Sequence, residues 1–299
     1  MMHQFSEQGV HIAIGLYVAL LAVLVVSHGW FYATCGAVLN MGFIVISVAK
    51  RQAFHLERVD RYSGYYTVLQ RFEWLIVQEG QLPLRPDKHF LLVEHRPTVT
   101  LIWRAGEQPK RDNSLLVDPY FTENGFLAAQ RTLRTAGFSF FQLGAYFVTH
   151  QHFDHMLSLP LEVPAGRFKA LAEPLEGIRA VPCPGHARDL HALVFTSRRN
   201  ERIWVVSDAV LDETWLRAWG YYYPNGYAPS QIIETWRSIA AIFAEAEVII
   251  PGHGAPIRVT RGLVEALIEG FPQAEFSGGC PEVLDTLRSR LAALPTNAT

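Results

Sequence analysis

Short apolar runs divided by polar turns make up most of the chain beyond residue 64. Aromatic and β-branched residues fill these runs, which predicts strands at 65–80, 88–95, 98–107, 114–119, 145–150, 190–195 and 202–208. Helical spacing is present at 122–136, at 230–243, where Ser230 is expected to cap the helix, and near 260–270. This mixture of strands and helices predicts an α/β domain with layered sheets.

The first fifty residues follow a different pattern. No Asp, Glu, Lys or Arg occurs in the 42 positions between Glu7 and Lys50. A membrane-spanning helix needs about 20 apolar residues, so this run is long enough for two spans, at 10–27 and 30–49. We therefore expect residues 1–52 to form a membrane anchor and residues 53–299 to form the domain that carries the chemistry.

Basic residues follow the uncharged run at once. Lys50, Arg51, Arg58 and Arg61 occur together, and the positive-inside rule places that end of the anchor in the cytoplasm. The expected location is the membrane, with the following domain facing the cytoplasm whether one span or two cross. A signal peptide is a rival interpretation, but the segment lacks a basic start and is too long. A buried helical hairpin within the fold stays open as an alternative.

Charge and cysteine usage narrow the class of protein. The net charge is −2 and the isoelectric point about 6.6, so no broadly basic face is predicted and no nucleic-acid partner is expected. Cys35, Cys183 and Cys280 are widely spaced and odd in number, which favours free thiols in a reducing compartment over a disulfide framework. The oligomeric state is not determined by these features.

The stretch THQHFDH, residues 149–155, concentrates metal-binding side chains in one turn. It follows a predicted buried strand and holds His150, His152, Asp154 and His155. Imidazole nitrogen and carboxylate oxygen are good donors for first-row divalent metals, whereas a satisfied core histidine usually occurs alone. The stretch therefore predicts a metal site, which needs further ligands from elsewhere in the chain.

Three further candidates share the same local setting. His186 and His253 each follow an apolar stretch and a Pro-Gly turn, and Asp208 ends a predicted strand. Strand ends can converge at one edge of a sheet, where function commonly gathers in layered α/β folds. We therefore expect these three side chains to meet the THQHFDH turn at that edge.

The order of these residues resembles the metallo-β-lactamase superfamily, whose signature is H-x-H-x-D-H followed by a His, a bridging Asp and a final His. The similarity covers about residues 60–270. It implies a four-layer αββα sandwich and two divalent metal ions, with zinc expected and iron or manganese as alternatives. The implied ligands are His150, His152 and His186 for the first ion, Asp154, His155 and His253 for the second, and Asp208 as a bridge between them.

The resemblance also implies hydrolysis by a hydroxide that bridges the two ions, with Asp208 and Asp154 as the catalytic carboxylates. The leading hypothesis is a membrane-anchored hydrolase that cleaves an ester, lactone, thioester or amide bond in a small-molecule substrate. A phosphodiesterase is one alternative, and an iron-bearing redox or sensor protein of the same fold is another. No serine-elbow motif is present, and Cys183 is interpreted as structural.

Two features depart from the family pattern. Asp118 is followed by Pro-Tyr instead of the usual Thr-Gly, and we interpret it as a supporting residue, not a ligand. Only 30 residues separate His155 from His186, so the insertion that often shapes the substrate pocket is short. The aromatic stretch 214–227 is the candidate pocket wall, with a core or membrane-interface patch as the alternative. Its candidate pocket residues are Trp215, Trp219, Tyr221, Tyr222 and Tyr223.

Overall fold

The computed structural model describes residues 70–160 and 163–295. The predicted anchor, residues 1–52 with spans at 10–27 and 30–49, lies outside these ranges and stays a prediction, and Cys35 lies outside them as well. Within 70–160 and 163–295, none of the helices combines the length and the apolar character that crossing a membrane requires.

Two five-stranded sheets form the centre of the domain. The first has the order β1-β2-β3-β4-β5, with strands Phe72–Gln78, Val99–Arg104, Ser114–Val117, Ala145–Phe147 and Lys169–Ala170. The second has the order β10-β9-β8-β7-β6, and strands β6 to β10 are Arg179–Pro182, His191–Thr196, Arg202–Ser207, Val248–Pro251 and Ile257–Arg258. Pairing is antiparallel except at β3–β4, β4–β5 and β8–β9.

Helices connect the strands and cover the sheets. In the described ranges they are α1 (Glu123–Thr135), α2 (Glu213–Arg217), α3 (Pro229–Glu245), α4 (Arg261–Gly270) and α5 (Glu282–Ala293). Short 3₁₀ turns occur at Phe140–Gln142, Ala165–Arg167, Tyr223–Asn225, Phe271–Gln273 and Ser277–Gly279. The parallel pairs β3–β4 and β8–β9 require crossover connections, which α1 and α3 supply.

The innermost core lies between the two sheets. Its buried residues include Phe72, Ile102, Leu115, Phe147, Leu193, Val205 and Ile250, drawn from both sheets. Because side chains alternate along a strand, the neighbours Leu101 and Trp103 of β2 face the other way, onto α1. Strands buried on both faces explain why the sequence shows continuous apolar runs instead of clean alternation.

The outer faces of the sheets are covered by helices on both sides. Phe126, Ala129 and Leu133 of α1 pack on the first sheet. The second sheet is covered by the apolar stripes of α3, α4 and α5, with Trp236, Phe243, Leu263, Val264 and Leu287 buried. The domain therefore has the layer order helix, sheet, sheet, helix, and the prediction of an α/β domain with two layered sheets is confirmed.

The predicted strand at 88–95 is wrong. These residues belong to the β1–β2 loop, residues 79–98, in which single bridges join Leu84 to Phe90 and Gln81 to Arg96. The apolar residues 90–93 are exposed and have no sheet to pack against. β-propensity reflects packing on a pleated surface, so a run without that surface forms no extended ladder.

The predicted cap at Ser230 is also wrong. Helix α3 begins at Pro229, one residue earlier, with Ala228 before it. Proline is favoured at the first helical position because a backbone N–H at that position would have no partner within the helix. The Gln231 side chain accepts a hydrogen bond from the Ala228 N–H at 3.0 Å, the bond by which a Gln at the third helical position closes the helix start.

Candidate metal centre

Four strand ends carry the predicted ligands to one edge of the two sheets. The turn after β4 holds the four ligands of THQHFDH, whereas His186, Asp208 and His253 follow β6, β8 and β9. All seven belong to groups whose donor atoms lie within 4.8 Å of one another. Six of the seven are buried and His152 is half-buried. The structure therefore brings together every ligand that the sequence indicated.

The first group consists of His150, His152, His186 and Asp208. His152 Nδ1 lies 3.0 Å from His150 Nε2 and 2.9 Å from His186 Nε2, and His186 Nε2 lies 3.1 Å from Asp208 Oδ2. The lone pairs of neutral imidazoles repel one another at such separations unless a proton or a cation lies between them. Three nitrogens converging on one carboxylate oxygen therefore form a natural cation site.

The second group surrounds the other oxygen of Asp208. Asp208 Oδ1 lies 3.2 Å from His155 Nε2 and 3.3 Å from His253 Nε2. Asp154 Oδ2 lies 3.7 Å from His155 Nε2 and 3.6 Å from His253 Nε2. Since Oδ2 of Asp208 faces the first group and Oδ1 faces the second, this carboxylate occupies the bridging position that the resemblance implied.

His95 is a member of the site that the sequence analysis missed. Its Nε2 lies 3.0 Å from Asp154 Oδ2. The donor atoms of His95, Asp154 and His253 all lie within 4.8 Å of one another. The available signal was that His95 comes shortly after the apolar run at 90–93, separated from it by Glu94. It was overlooked because that run was interpreted as an ordinary strand.

Asp118, which follows β3 of the first sheet, is hydrogen-bonded to His155 of the second group. Its carboxylate accepts hydrogen bonds from the Thr149 N–H and hydroxyl, the Ser207 hydroxyl and His155 Nδ1, all at 2.8–2.9 Å. Its backbone is left-handed, with φ of 51°, a conformation that ordinary residues adopt only where the surroundings fix it. Asp118 makes these contacts and lies in no group of metal donors found among the described residues.

Three further imidazoles are oriented through their second nitrogens. Thr149 Oγ1 lies 3.1 Å from His150 Nδ1, Tyr227 Oη lies 2.9 Å from His186 Nδ1, and His253 Nδ1 donates to the Arg96 carbonyl at 3.0 Å. Each contact leaves Nε2 free to face the site. Outer partners of this kind fix the tautomer of a metal-binding histidine and raise its basicity.

The glycines of the two Pro-Gly turns lie against close neighbours. A Cβ on Gly252 would overlap Asp208 Oδ1, and a Cβ on Gly185, where φ is 130°, would overlap Thr235. Only glycine provides this clearance. The glycine before His253 therefore lets the backbone approach Asp208, and the glycine before His186 lets it approach α3.

Burial and charge set the protonation of the donors. Burial lowers the pKa of His150 to about 4 and that of His186 to about 3, so both rings are neutral at pH 7. Burial acts to raise the pKa of Asp154, but the His95 hydrogen bond and the His155 charge lower it to about 2. Neutral imidazoles and an ionised carboxylate are the forms that bind metals.

Asp208 and His155 shift each other's pKa in opposite directions. Burial acts to raise the Asp208 pKa, but the charges of His155, His253 and His186 hold it well below its ordinary value. Burial acts to lower the His155 pKa, but Asp208 and Asp118 raise it well above 6.5. A divalent ion supplies the positive charge that the His155 proton supplies here, so metal binding would release that proton.

The donor set fits divalent metal ions. His155 Nε2 and Asp208 Oδ1 are buried without a hydrogen-bond partner among the described residues. Buried polar atoms are rarely left unpaired, and a bound ion is one recognised explanation. Imidazole and carboxylate donors gathered around both atoms suit first-row divalent metals.

A cavity of about 140 Å³ opens onto the ligands. Its walls are Leu82, His95, His152, Phe153, Asp154, His186, Asp208, Leu211, Tyr222, Asn225 and His253. No Lys or Arg of the described residues lines it. The cavity therefore joins the metal donors to an apolar and aromatic wall.

The five predicted pocket residues occupy different places. Tyr222 lines the cavity, and Tyr223 lies beneath Lys88, whose Nζ is 5.5 Å from the ring centre. Trp215 is buried in a small cluster with Leu82, Leu84 and Leu211, and Trp219 is buried with its Nε1 donating to the Leu267 carbonyl. Tyr221 donates to Glu275 at 2.7 Å. The two tryptophans thus build the core that positions the wall.

Comparisons with known proteins find similarity in solved structures alone. Neither the family models nor the curated proteins give a match to the sequence. A candidate metallo-β-lactamase from Thermotoga maritima has 13% identity and a TM-score of 0.45, covering 63% of this chain and 100% of its own. A candidate metal-dependent hydrolase from Staphylococcus aureus has 12% identity and a TM-score of 0.43, covering 62% and 90%. A metallo-β-lactamase family protein from Thermus thermophilus has 14% identity and a TM-score of 0.37, covering 74% and 81%.

Similarity at this level supports no conclusion about the family, and the resemblance rests on the candidate ligands. The motif H-x-H-x-D-H is followed by His186, Asp208 and His253 in the family's order. The structure gathers all seven residues into metal-binding groups at the edge of two facing sheets. In these residues and their order the chain resembles the metallo-β-lactamase superfamily.

Proposed function

We propose that this protein is a metal-dependent hydrolase that binds two divalent ions, with zinc expected, and cleaves an ester, lactone, thioester or amide bond in a small molecule. The observation that carries the proposal is the complete ligand set, in which Asp208 presents one oxygen to each group. When bound, two such ions lower the pKa of a shared water and polarise the bond to be cleaved.

Side chains beside the metal ligands have proposed roles in proton transfer and in stabilising the oxyanion. Asp154 is ionised and lines the cavity, where it can take up a proton. Burial, followed by the charge of Asp154, raises the pKa of Tyr222, so its hydroxyl stays protonated and can donate to an oxyanion. Cys183 is excluded as a nucleophile because burial raises its pKa to about 11.

The walls of the cavity favour an apolar substrate. Leu82, Leu211 and Phe153 line it beside the metal donors, and 69% of Phe153 is exposed at its entrance. A phosphodiester would need cationic side chains, and none of the described residues in the wall is Lys or Arg. The cavity therefore supports a carbonyl substrate over a phosphodiester.

The proposed location follows from the sequence. The uncharged run before Lys50 is long enough for two membrane spans, and the basic residues after it place the catalytic domain on the cytoplasmic side. An enzyme held at the membrane would meet substrates that partition into lipid, in agreement with the apolar cavity.

The alternative functions, an iron-bearing redox protein or a sensor, would use the same ligands.

Metal analysis with a substrate panel tests the proposal. The purified full-length protein is assayed for metal content and for cleavage of 4-nitrophenyl acetate, a thioester, a lactone and bis(4-nitrophenyl) phosphate. We expect two metal ions per chain and cleavage of a carbonyl substrate. A preference for the phosphodiester would favour the first alternative, and bound iron without hydrolysis would favour the second.

Asp208→Ala supplies the matched variant. It removes the carboxylate that faces both groups, so bound metal and activity should be lost together. Asp285→Ala removes an exposed carboxylate on α5 and should change neither. Two retained ions with near-normal turnover in Asp208→Ala would show that Asp208 is not the bridge.

A further inference from the structure

His95 lies where a ligand of the second ion would lie. It projects from the β1–β2 loop with 30% of its side chain exposed, and its Nε2 is 3.0 Å from Asp154 Oδ2. The same oxygen is the one that approaches His155 Nε2 and His253 Nε2, at 3.7 and 3.6 Å. Three imidazole nitrogens thus surround one carboxylate oxygen.

We infer that His95 is a further protein ligand of the second metal ion, beyond Asp154, His155, His253 and Asp208. Metal–nitrogen and metal–oxygen bonds are about 2.0–2.2 Å long, so donors on one ion lie about 3–4 Å apart. The His95–Asp154 separation of 3.0 Å lies in this range. This inference rests on the proposed metal centre and adds a residue to it.

The backbone ties His95 to an established member of the group. The next residue, Arg96, pairs with Gln81 through N–H to carbonyl bonds of 3.1 and 2.8 Å in the two directions. The Arg96 carbonyl also accepts a hydrogen bond from His253 Nδ1 at 3.0 Å. One peptide segment therefore carries His95 and orients His253, so both imidazoles reach the site in fixed relation.

The enlarged donor set changes the expected chemistry of the second ion. Its five donors fall into two groups that share His253, one with His95 and Asp154 and the other with His155 and Asp208. Structural zinc sites are almost always four-coordinate, and catalytic zinc commonly has three protein ligands. Five protein donors exceed the three that catalytic zinc commonly has, so His95 raises the coordination number expected of the second ion.

Two substitutions of His95 distinguish a role as metal ligand from a role as hydrogen-bond donor to Asp154. His95→Gln keeps an N–H that can reach Asp154 but removes the imidazole, and His95→Ala removes both. His89→Ala is the matched control, since His89 is an exposed histidine of the same loop that pairs with Asp87. Each full-length protein is stripped of metal and titrated with Co²⁺, following stoichiometry, affinity and visible absorption.

We expect the wild type and His89→Ala to bind two Co²⁺, the second with weak absorption typical of high coordination. His95→Gln and His95→Ala should both bind the second ion about 100-fold more weakly, which is the upper end of the loss caused by removing an outer partner. The bound second ion should also absorb more strongly, because its coordination number is lower. If His95→Gln matches the wild type, His95 is only a hydrogen-bond donor and the inference is overturned. If the wild type binds no metal, the proposed function fails instead.

Discussion

Asp118 Oδ2 lies 2.9 Å from His155 Nδ1 and holds the ring with Nε2 directed at Asp208. The same carboxylate accepts hydrogen bonds from Thr149 and Ser207. One buried residue at the end of β3 therefore couples the THQHFDH turn to the strand that carries Asp208. The family's Thr-Gly is absent after it, and its supporting role is retained through these contacts.

Asp118→Asn should weaken the second metal without removing the first. The amide cannot accept all of these hydrogen bonds, and its neutral charge no longer favours a proton on His155 Nδ1. Loss of such an outer partner typically reduces metal affinity about 10–100-fold. Competition titration with a chelator measures the effect. Asp112→Asn, at an exposed carboxylate, serves as the control, and equal affinities in the two variants would contradict the role given to Asp118.

Gly252→Ala should disrupt the bridge between the two groups. Its Cβ would overlap Asp208 Oδ1 and lie 3.0 Å from the Ser207 carbonyl carbon, so the carboxylate or the β9 turn must shift. We expect metal content and activity to fall severalfold or more while the domain still folds, as judged by circular dichroism. Gly262→Ala, in α4 with no atom near the added Cβ, should behave like the wild type. A fully loaded Gly252→Ala protein would refute this account of the Pro-Gly turn.

Acid should destabilise the metal-free protein. The folded-state pKa values of His150 and His186 are lowered from 6.5 to about 4 and about 3, so between these limits the unfolded chain binds more protons. The free energy of unfolding therefore falls as the pH drops through that window. His155, whose pKa is raised, is protonated in both states there and does not offset the loss.

Thermal unfolding of the chelator-treated protein from pH 7 to pH 4 measures this effect. The midpoint should decrease steadily, and the decrease should be smaller in His186→Asn, which lacks one of the two histidines. A midpoint that stays level below pH 6.5 would show that these rings are not buried in their neutral form.

Removal of residues 1–52 should release the protein from the membrane and leave its chemistry intact. All seven predicted ligands and His95 lie beyond residue 94, and the described strands begin at Phe72. We expect the shortened chain to remain in the supernatant without detergent and to cleave a water-soluble substrate at a near-normal rate. A full-length protein found in the soluble fraction after lysis would contradict the anchor.

The sequence by itself determined the candidate ligands and the class of fold. Each ligand is marked locally, because an apolar strand ends abruptly in a polar turn and because Pro-Gly precedes His186 and His253. The order of the seven residues is a one-dimensional property, so it can be recognised before any contact is known. The sequence also predicted a supporting role for Asp118, and its partners Thr149 and Ser207 came only with the structure.

Only the tertiary structure decided which residues meet. The run at 90–93 has the composition of a strand, but strand formation depends on a neighbouring surface, and none is present. The dense aromatic stretch 214–227 divides between core and cavity because helix α2 and the following turn point Trp215 and Trp219 inward and Tyr222 towards Asp154. His95 lies beside Arg96, whose carbonyl accepts a hydrogen bond from His253. His95 and His253 are 158 positions apart in the chain. Contacts of such sequence separation arise from the packing of the two sheets, and no local pattern encodes them.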